Sequence, residues 1–371
     1  MAWAQTNEEK DSVCDTIVVD RAADDFVTAS LLIAEPCGVL YSVMGHAALR
    51  LQCPTYDLDY VFSYESESAE EKVLAYLAGR LRMGLFPIPI QEYLDNYAQL
   101  NRGVKEYILN LPPATKQELW RICDMHVEEG KNLPFDYVKR GCAIACVHLL
   151  NEALHGAHID YAEWPEKFEM TRRELGAESM KPYPWSKFVI VTLVGTNDYD
   201  KQCPKEEKLI IPADLADVWS KASYHGQPLV AESHDLIPFT NPPMKKGMTP
   251  TMLAALMLAL AIGNLFIKKP YIDWGFLGVQ TLAGVFFTYL LFFSKLPCAD
   301  WFWVYVIYNP LPAIFWPWRR YWAVPYCGII AAWVIAMAAY PHMLVEPAHV
   351  LFALAFCMIV IKNSSIYEKC F

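Results

Sequence analysis

Apolar residues are distributed in two different ways along this 371-residue chain. Up to residue 246 they come in short runs broken by proline, glycine and charge, as in a soluble domain; from Thr249 onward the runs are long enough to cross a bilayer. In the front part, residues 26–34 predict a strand that ends at the turn signal Glu35-Pro36-Cys37-Gly38. Residues 39–51 predict a second, buried strand, and residues 56–64 a third that pairs with it as a hairpin. Residues 70–82 predict a helix, interrupted by Gly84 and the Pro87/Pro89 pair, with a short helix over 92–100. Residues 101–111 alternate like a strand, and 115–129 predict a helix in which Thr115 and Glu118 have capping-box spacing. Residues 157–184 are loop-rich, and 185–195 fit either a strand or a buried helix. Residues 212–223 predict a helix with Leu215, Val218 and Trp219 on one face; short extended pieces at 228–230 and 236–238 precede a linker at 241–246.

The back part predicts five membrane spans: 249–267, 272–294, 299–316, 322–340 and 347–361. Most approach the ~20 residues that a ~30 Å hydrocarbon layer requires, and their ends carry Trp and Tyr. Lys268, Lys269, Arg319, Arg320, Lys362 and Lys369 fall on one side of these spans, against Lys245, Lys246 and Lys295 on the other. The positive-inside rule makes the first side cytoplasmic and puts residues 1–246 outside. Export requires a signal, and Ala2-Trp3-Ala4 has the small-x-small form of a cleavage site, so residues 1–25 are expected to be a lead-in after signal removal.

Charge shifts at the same boundary. Residues 1–246 hold 24 Lys/Arg against 37 Asp/Glu, a balance of −13, while 247–371 hold seven against four, a balance of +3. An acidic front part argues against nucleic acid as a partner. Its seven cysteines are odd in number and scattered, which does not suit a disulfide framework; no CxxC pair is present, and no metal or other cofactor is expected.

Candidate chemistry centres on residues 135–150. A β-prone run meets Lys139, Arg140 and Gly141, then becomes an Ala/Leu/Cys-rich helical run that starts at Cys142. Unpaired N–H groups and the helix dipole at such a position stabilise a thiolate and can hold an oxyanion. The same pattern also suits two buried thiols, Cys142 and Cys146, on a core-facing helix. The candidate base is His46, in a Gly45-His46 step inside the second strand, although a strand histidine can equally be a satisfied core residue. The hairpin would bring Asp59 to Tyr64 beside it, where one of them could orient the ring.

Tyr41 to Arg50 with its Gly45-His46-Ala47 step, Asp59 to Tyr64, Asn101-Arg102-Gly103-Val104, Ile108 to Leu111 and Tyr137 to Cys142 resemble, in that order, the Lnb-type lipoprotein N-acyltransferases and the wider family around their N-terminal domain. The similarity continues through Trp185 to Phe188, Ile211 to Leu215, Pro228 to Val230 and the Asn309-Pro310-Leu311 of the tail. This resemblance implies an α+β fold: a permuted papain-like cysteine domain over 26–246, similar to NlpC-type hydrolases and lecithin:retinol acyltransferase, then a transmembrane domain of about five helices over 247–371. It implies Cys142 as nucleophile and His46 as base. Asp59, Tyr64 and Arg102 match recurring family positions, with orienting, head-group-binding and packing roles all open. Gly141-Cys142-Ala143-Ile144 departs from the Asn-Cys-Ala-Thr frequent in the family. The implied reaction moves an acyl chain from a glycerophospholipid through a Cys142 thioester to the N-terminal amine of a diacylated lipoprotein, on the periplasmic side of the inner membrane. The alternatives are a membrane-anchored cysteine hydrolase, acting on phospholipid or peptidoglycan, and a non-enzymatic scaffold.

Overall fold

The computed structural model describes residues 26–66, 72–130, 133–136, 140–240, 247–267, 270–340 and 346–364. The Ala2-Trp3-Ala4 stub, Lys139, the 241–246 linker and the cations Lys268, Lys269 and Lys369 lie outside them.

Strands β1 (Thr28–Ala34), β2 (His46–Cys53) and β3 (Leu58–Ser66) form an antiparallel meander. β4 (Arg82–Pro89) and the two-residue β6 (Leu133–Pro134) extend it on one side, and β5 (Val104–Leu109) and β9 (Val230–Ile237) on the other, giving the order β6-β4-β3-β2-β1-β5-β9 with every pair antiparallel. A separate ribbon pairs β7 (Ser223–Tyr224) with β8 (Gln227–Pro228). Strand side chains alternate between faces, and both faces are covered. Leu31, Ile33, Leu49, Leu51 and Phe62 pack on α3 (Pro113–Glu128), α4 (Cys142–Ala153) and α8 (Pro212–Lys221), through Leu119, Ile122, Cys146, Leu150 and Trp219. Leu32, Ala34, Ala48 and Val61 meet Tyr93 and Tyr97 of α2 (Ile90–Gln99). Double coverage is why β1, in the interior of the sheet, appears in the sequence as a nearly continuous apolar run, whereas the outer β9 is polar and largely exposed.

Local differences from the sequence expectations have local causes. The second strand starts only at His46, because Leu40–Ser42 is a helical turn and Gly45 takes φ 90, where a Cβ would stand 2.7 Å from the Ala34 carbonyl oxygen. Only Val73–Leu77 is helical in the described part of the expected 70–82 helix; this is α1. The Pro87/Pro89 stretch is β4, an outer strand: both prolines pair with β3, and β6 covers only Arg82 and Met83, leaving their missing N–H groups on an open edge. α3 begins at Pro113 rather than Thr115, so Thr115 is not its cap. The expected loop over 157–184 contains α5 (Arg172–Ser179), opened by a capping box between Thr171 and Glu174. Residues 185–195 resolve as α6 (Pro184–Leu193), followed by the single turn α7 (Thr196–Tyr199).

Arg173 of α5 ties this region together. Its guanidinium donates to the carbonyls of Val191, Val194 and Gly195 at 2.5, 2.9 and 2.8 Å and pairs with Asp200 at 2.5 Å, with both side chains buried. Arg173→Ala is expected to destabilise the protein by about 3–5 kcal/mol, because it strands a buried carboxylate and three carbonyls. A thermal-melting comparison with wild type checks this; an unchanged midpoint would contradict it.

The back part contains α9 (Pro250–Asn264), α10 (Tyr271–Phe292), the single turn α11 (Leu311–Ile314), α12 (Arg319–Ala339) and α13 (Pro347–Lys362). Two helices among the described residues are long and apolar enough to cross a membrane: α10, and α12 counted with the turn before it. The third expected span is corrected. Residues 299–316 are not one helix but a chain of short turns at Trp303–Val306 and Leu311–Ile314, leading into another at Trp316–Trp318, and the segment is broken by Pro310 and Pro312. This segment nevertheless runs the length of the bundle. Trp301 meets Thr196 of the front part, the Ile307 carbonyl accepts from Gln280 at 2.9 Å midway along α10, and Trp316 packs on Trp274 near the opposite end. Irregular backbone at such depth is tolerated when it is enclosed by protein. Gly284 permits the approach, since a Cβ there would meet the Asn309 backbone at 2.5 Å.

One end of the bundle abuts the front part. Ser294 donates to the Leu77 carbonyl at 2.5 Å, Lys187 pairs with Glu346 at 2.8 Å, and Thr192 meets His349 at 2.8 Å. The far end is closed by Asn264, Asp273 and Lys362, with Lys362 to Asp273 at 3.1 Å.

Candidate functional site

Cys142 is the first residue of α4, and Gly141 before it is extended, so the thiol sits among N–H groups that have no intrahelical partner. His46 is the first residue of β2, and α4 packs across the sheet below β2 and β3. The two side chains meet in one pocket of about 90 Å³, with Met44, Met83, Phe135 and Ile210 as apolar walls and Glu65 and Arg140 as charged ones. Arg140 also donates to the Pro134 carbonyl at 2.9 Å.

The electrostatics of the pair draw the thiol down and the ring up. Burial alone would push the Cys142 thiol up, but the His46 charge, its hydrogen bond to the sulfur and a hydrogen bond from the Ala47 backbone outweigh it, and the thiol lies below its ordinary range. Burial likewise disfavours charge on His46, yet Tyr97, Cys142 and Glu65 hold its pKa well above the ordinary 6.5. Cys146, one turn along the same helix, is enclosed by the core, and burial, with the neighbouring Cys142 sulfur adding to it, outweighs the His46 charge and pushes its thiol far up. Position at the helix start, not residue type, separates the two thiols.

Of the imidazole's two partners, Ser63 falls within the Asp59 to Tyr64 stretch expected beside the ring, and Glu65 lies just beyond it. Ser63 Oγ lies 2.7 Å from His46 Nε2 and donates to Glu65 Oε1 at 2.6 Å, which is itself 3.4 Å from the ring nitrogen. Burial opposes ionisation of Glu65, but the His46 charge and the hydrogen bonds from His46 and Ser63 keep its carboxyl below the usual range. A signal for this was present: Leu49 pairs with Phe62, and counting that register onward puts Glu65 opposite His46, one residue beyond the stretch chosen as the partner strand.

Asp59 lies toward the other end of β3, bound to Arg50 at 2.6 and 2.8 Å, and Arg50 reaches on to Glu106 of β5 at 3.0 Å. It laces strands together, and Ser63 rather than Asp59 contacts the ring. Arg102 is buried, donates twice to the Glu35 carbonyl at 2.8 and 2.6 Å and stands 4.8 Å over the Tyr97 ring; its charge reaches Glu65. Tyr64 borders the pocket, but its hydroxyl is 3.2 Å from His126 Nδ1, whose Nε2 faces Glu152 at 3.1 Å.

Glu65→Gln is expected to slow any reaction at Cys142 by roughly 10- to 100-fold, because it removes an anion that keeps His46 protonated. With His46 lowered, the high-pH limb of the rate profile moves to lower pH. A pH–rate profile checks this, and an unmoved limb would assign Glu65 a packing role only.

The arrangement defines a mixed α/β domain with a helix-start thiol held against an imidazole, attached to apolar helices of membrane-crossing length. Residues 20–175 of the chain match the family described as the Lnb N-terminal periplasmic domain, which bears out the family resemblance over that stretch. That description and the two long apolar helices support a membrane protein with a periplasmic domain. No curated protein and no solved structure matches the chain.

Proposed function

We propose that the protein is a lipoprotein N-acyltransferase that works through a thioester on Cys142. The observation that carries this reading is that Cys142 and His46 meet in one mostly apolar pocket beside a bundle of membrane-type helices. The Cys142 thiolate attacks an ester carbonyl of a glycerophospholipid. The C–S bond forms, the ester C–O bond breaks, and the lysophospholipid leaves with the proton of the His46 imidazolium. The α-amine of a diacylated lipoprotein then attacks the thioester. The C–N bond forms, the C–S bond breaks, and the amine proton returns to His46, regenerating the starting pair. Helix-start N–H groups are the donors for the oxyanion in both steps.

The order of histidine-bearing strand before cysteine-bearing helix is the one a permuted papain-like fold requires. Arg319 and Lys362 lie at the bundle end far from the thiol, which fits that end facing the cytoplasm and the pocket facing the periplasm. Walls of Met44, Met83, Phe135 and Ile210 suit a lipid ester better than a peptidoglycan stem and limit water at the thioester. The test gives the purified protein phospholipid with and without a diacylated lipopeptide. N-acylated lipopeptide and lysophospholipid are the expected products; free fatty acid with no N-acylated product would make the protein a hydrolase.

A further inference from the structure

Beside the thiol pocket lies a second cavity of about 200 Å³, lined by Leu40, Tyr41, Val73, Leu77, Phe135, Val189 and neighbouring apolar side chains of α6. Tyr41 and Phe135 belong to both cavities and form the wall between them. The lining is almost wholly apolar, whereas the thiol pocket also has Glu65 and Arg140. Its floor rests on the membrane-type bundle: Leu77 and Leu193 pack against the bundle core, and the Leu77 and Ala78 carbonyls accept from Ser294 and Lys295 at the end of α10. Leu40, Tyr41, Val73 and Leu74 are exposed around the mouth. Two adjoining cavities, divided by the Tyr41 and Phe135 side chains, thus lie between the Cys142 pocket and the front-part end of the bundle. The larger cavity of about 530 Å³ beside residues 305–329 shares no lining residue with the thiol pocket.

We infer that the cavity between α1 and α6 houses the fatty-acyl chain that Cys142 takes from the phospholipid, and that Val189 and Val73 are chain-selecting residues. The inference rests on the thioester reading and names the place of its acyl group. Each methylene moved from water into such a cavity is worth about fourfold in binding, so the cavity favours long chains over short ones. The alternative source of an acyl chain, the lipopeptide itself, is excluded from the test by omitting it.

The experiment incubates the full-length protein with dipalmitoyl or dihexanoyl phosphatidylglycerol alone and follows the acyl adduct on Cys142 by intact mass. Val189→Trp and Val73→Trp fill the cavity from opposite walls, and iodoacetamide labelling of Cys142 at the wild-type rate certifies the fold of each. The palmitoyl adduct is expected to form at least about tenfold more slowly in either variant, with the hexanoyl adduct little changed, as removing room for several methylenes demands. Wild-type adducts with an unchanged chain preference in both variants would overturn the cavity assignment and leave the thioester standing. Absence of any wild-type adduct would overturn the thioester reading, and the cavity assignment with it.

Discussion

Replacing Cys142 by Ser is expected to abolish the acyl adduct and reduce transfer by at least about 10⁴-fold, the scale on which loss of a nucleophile acts. The reason lies in the protonation state of the partner. His46 is held well above its ordinary 6.5 by Tyr97, Cys142 and Glu65 against the cost of burial, and the His46 charge in turn draws the Cys142 thiol below its ordinary range. A serine hydroxyl would need the ring as a base to remove its proton, and the surroundings favour the ring's charged form. The thiol is only partly enclosed and the two side chains are nearly the same size, so folding should change by no more than about 1 kcal/mol. Intact mass, transfer rate and melting temperature together check the result. Residual N-acylation at a tenth of the wild-type rate would dismiss Cys142 as nucleophile.

His46→Ala carries the second largest effect, a loss of about 10²–10⁴ in rate, because it removes both the charge that ionises the thiol and the group that returns the proton to the leaving oxygen. The accompanying pH signature is specific. In wild type the reactive ion pair exists above the pH at which Cys142 takes up a proton, which lies below the ordinary 9.0, and below the pH at which His46 loses one, well above 6.5. The rate therefore falls on the acid side through the thiol and on the alkaline side through the ring. Without the ring, burial of the sulfur is opposed only by the Ala47 N–H and the helix terminus, so the thiol must move up. Iodoacetamide alkylation against pH reads this directly: the inflection should rise in His46→Ala, and one that coincides with wild type would show that the two side chains do not act together.

Much of this site was legible because its parts are local. A helix start after Lys139-Arg140-Gly141, a Gly-His step at a strand and the change to long apolar runs at Thr249 each depend on residues within a few positions of one another. Backbone preference and burial at short range decide such features. The helix over 212–221 with Leu215, Val218 and Trp219 inward is the same kind of inference. α5 was missed because its signal, the Thr171/Glu174 box, is not followed by a clear apolar face: Arg172 and Arg173 are buried, held by carbonyls and carboxylates from distant residues.

By itself, then, the chain's order of residues determined which helix begins at a thiol, which strand carries the imidazole, and where short apolar runs give way to long ones, since propensity, capping and hydrophobic length act along the backbone. Tertiary structure alone decided that Ser63 and Glu65, rather than Asp59, hold the ring, because a strand's neighbours depend on register and a slip of one residue changes every contact. It also decided that residues 299–316 descend the bundle as broken turns. Pro310 and Pro312 forbid a continuous helix there, and only the enclosing side chains of α10 and α12, with Gly284 making room, supply what an isolated segment of that composition lacks.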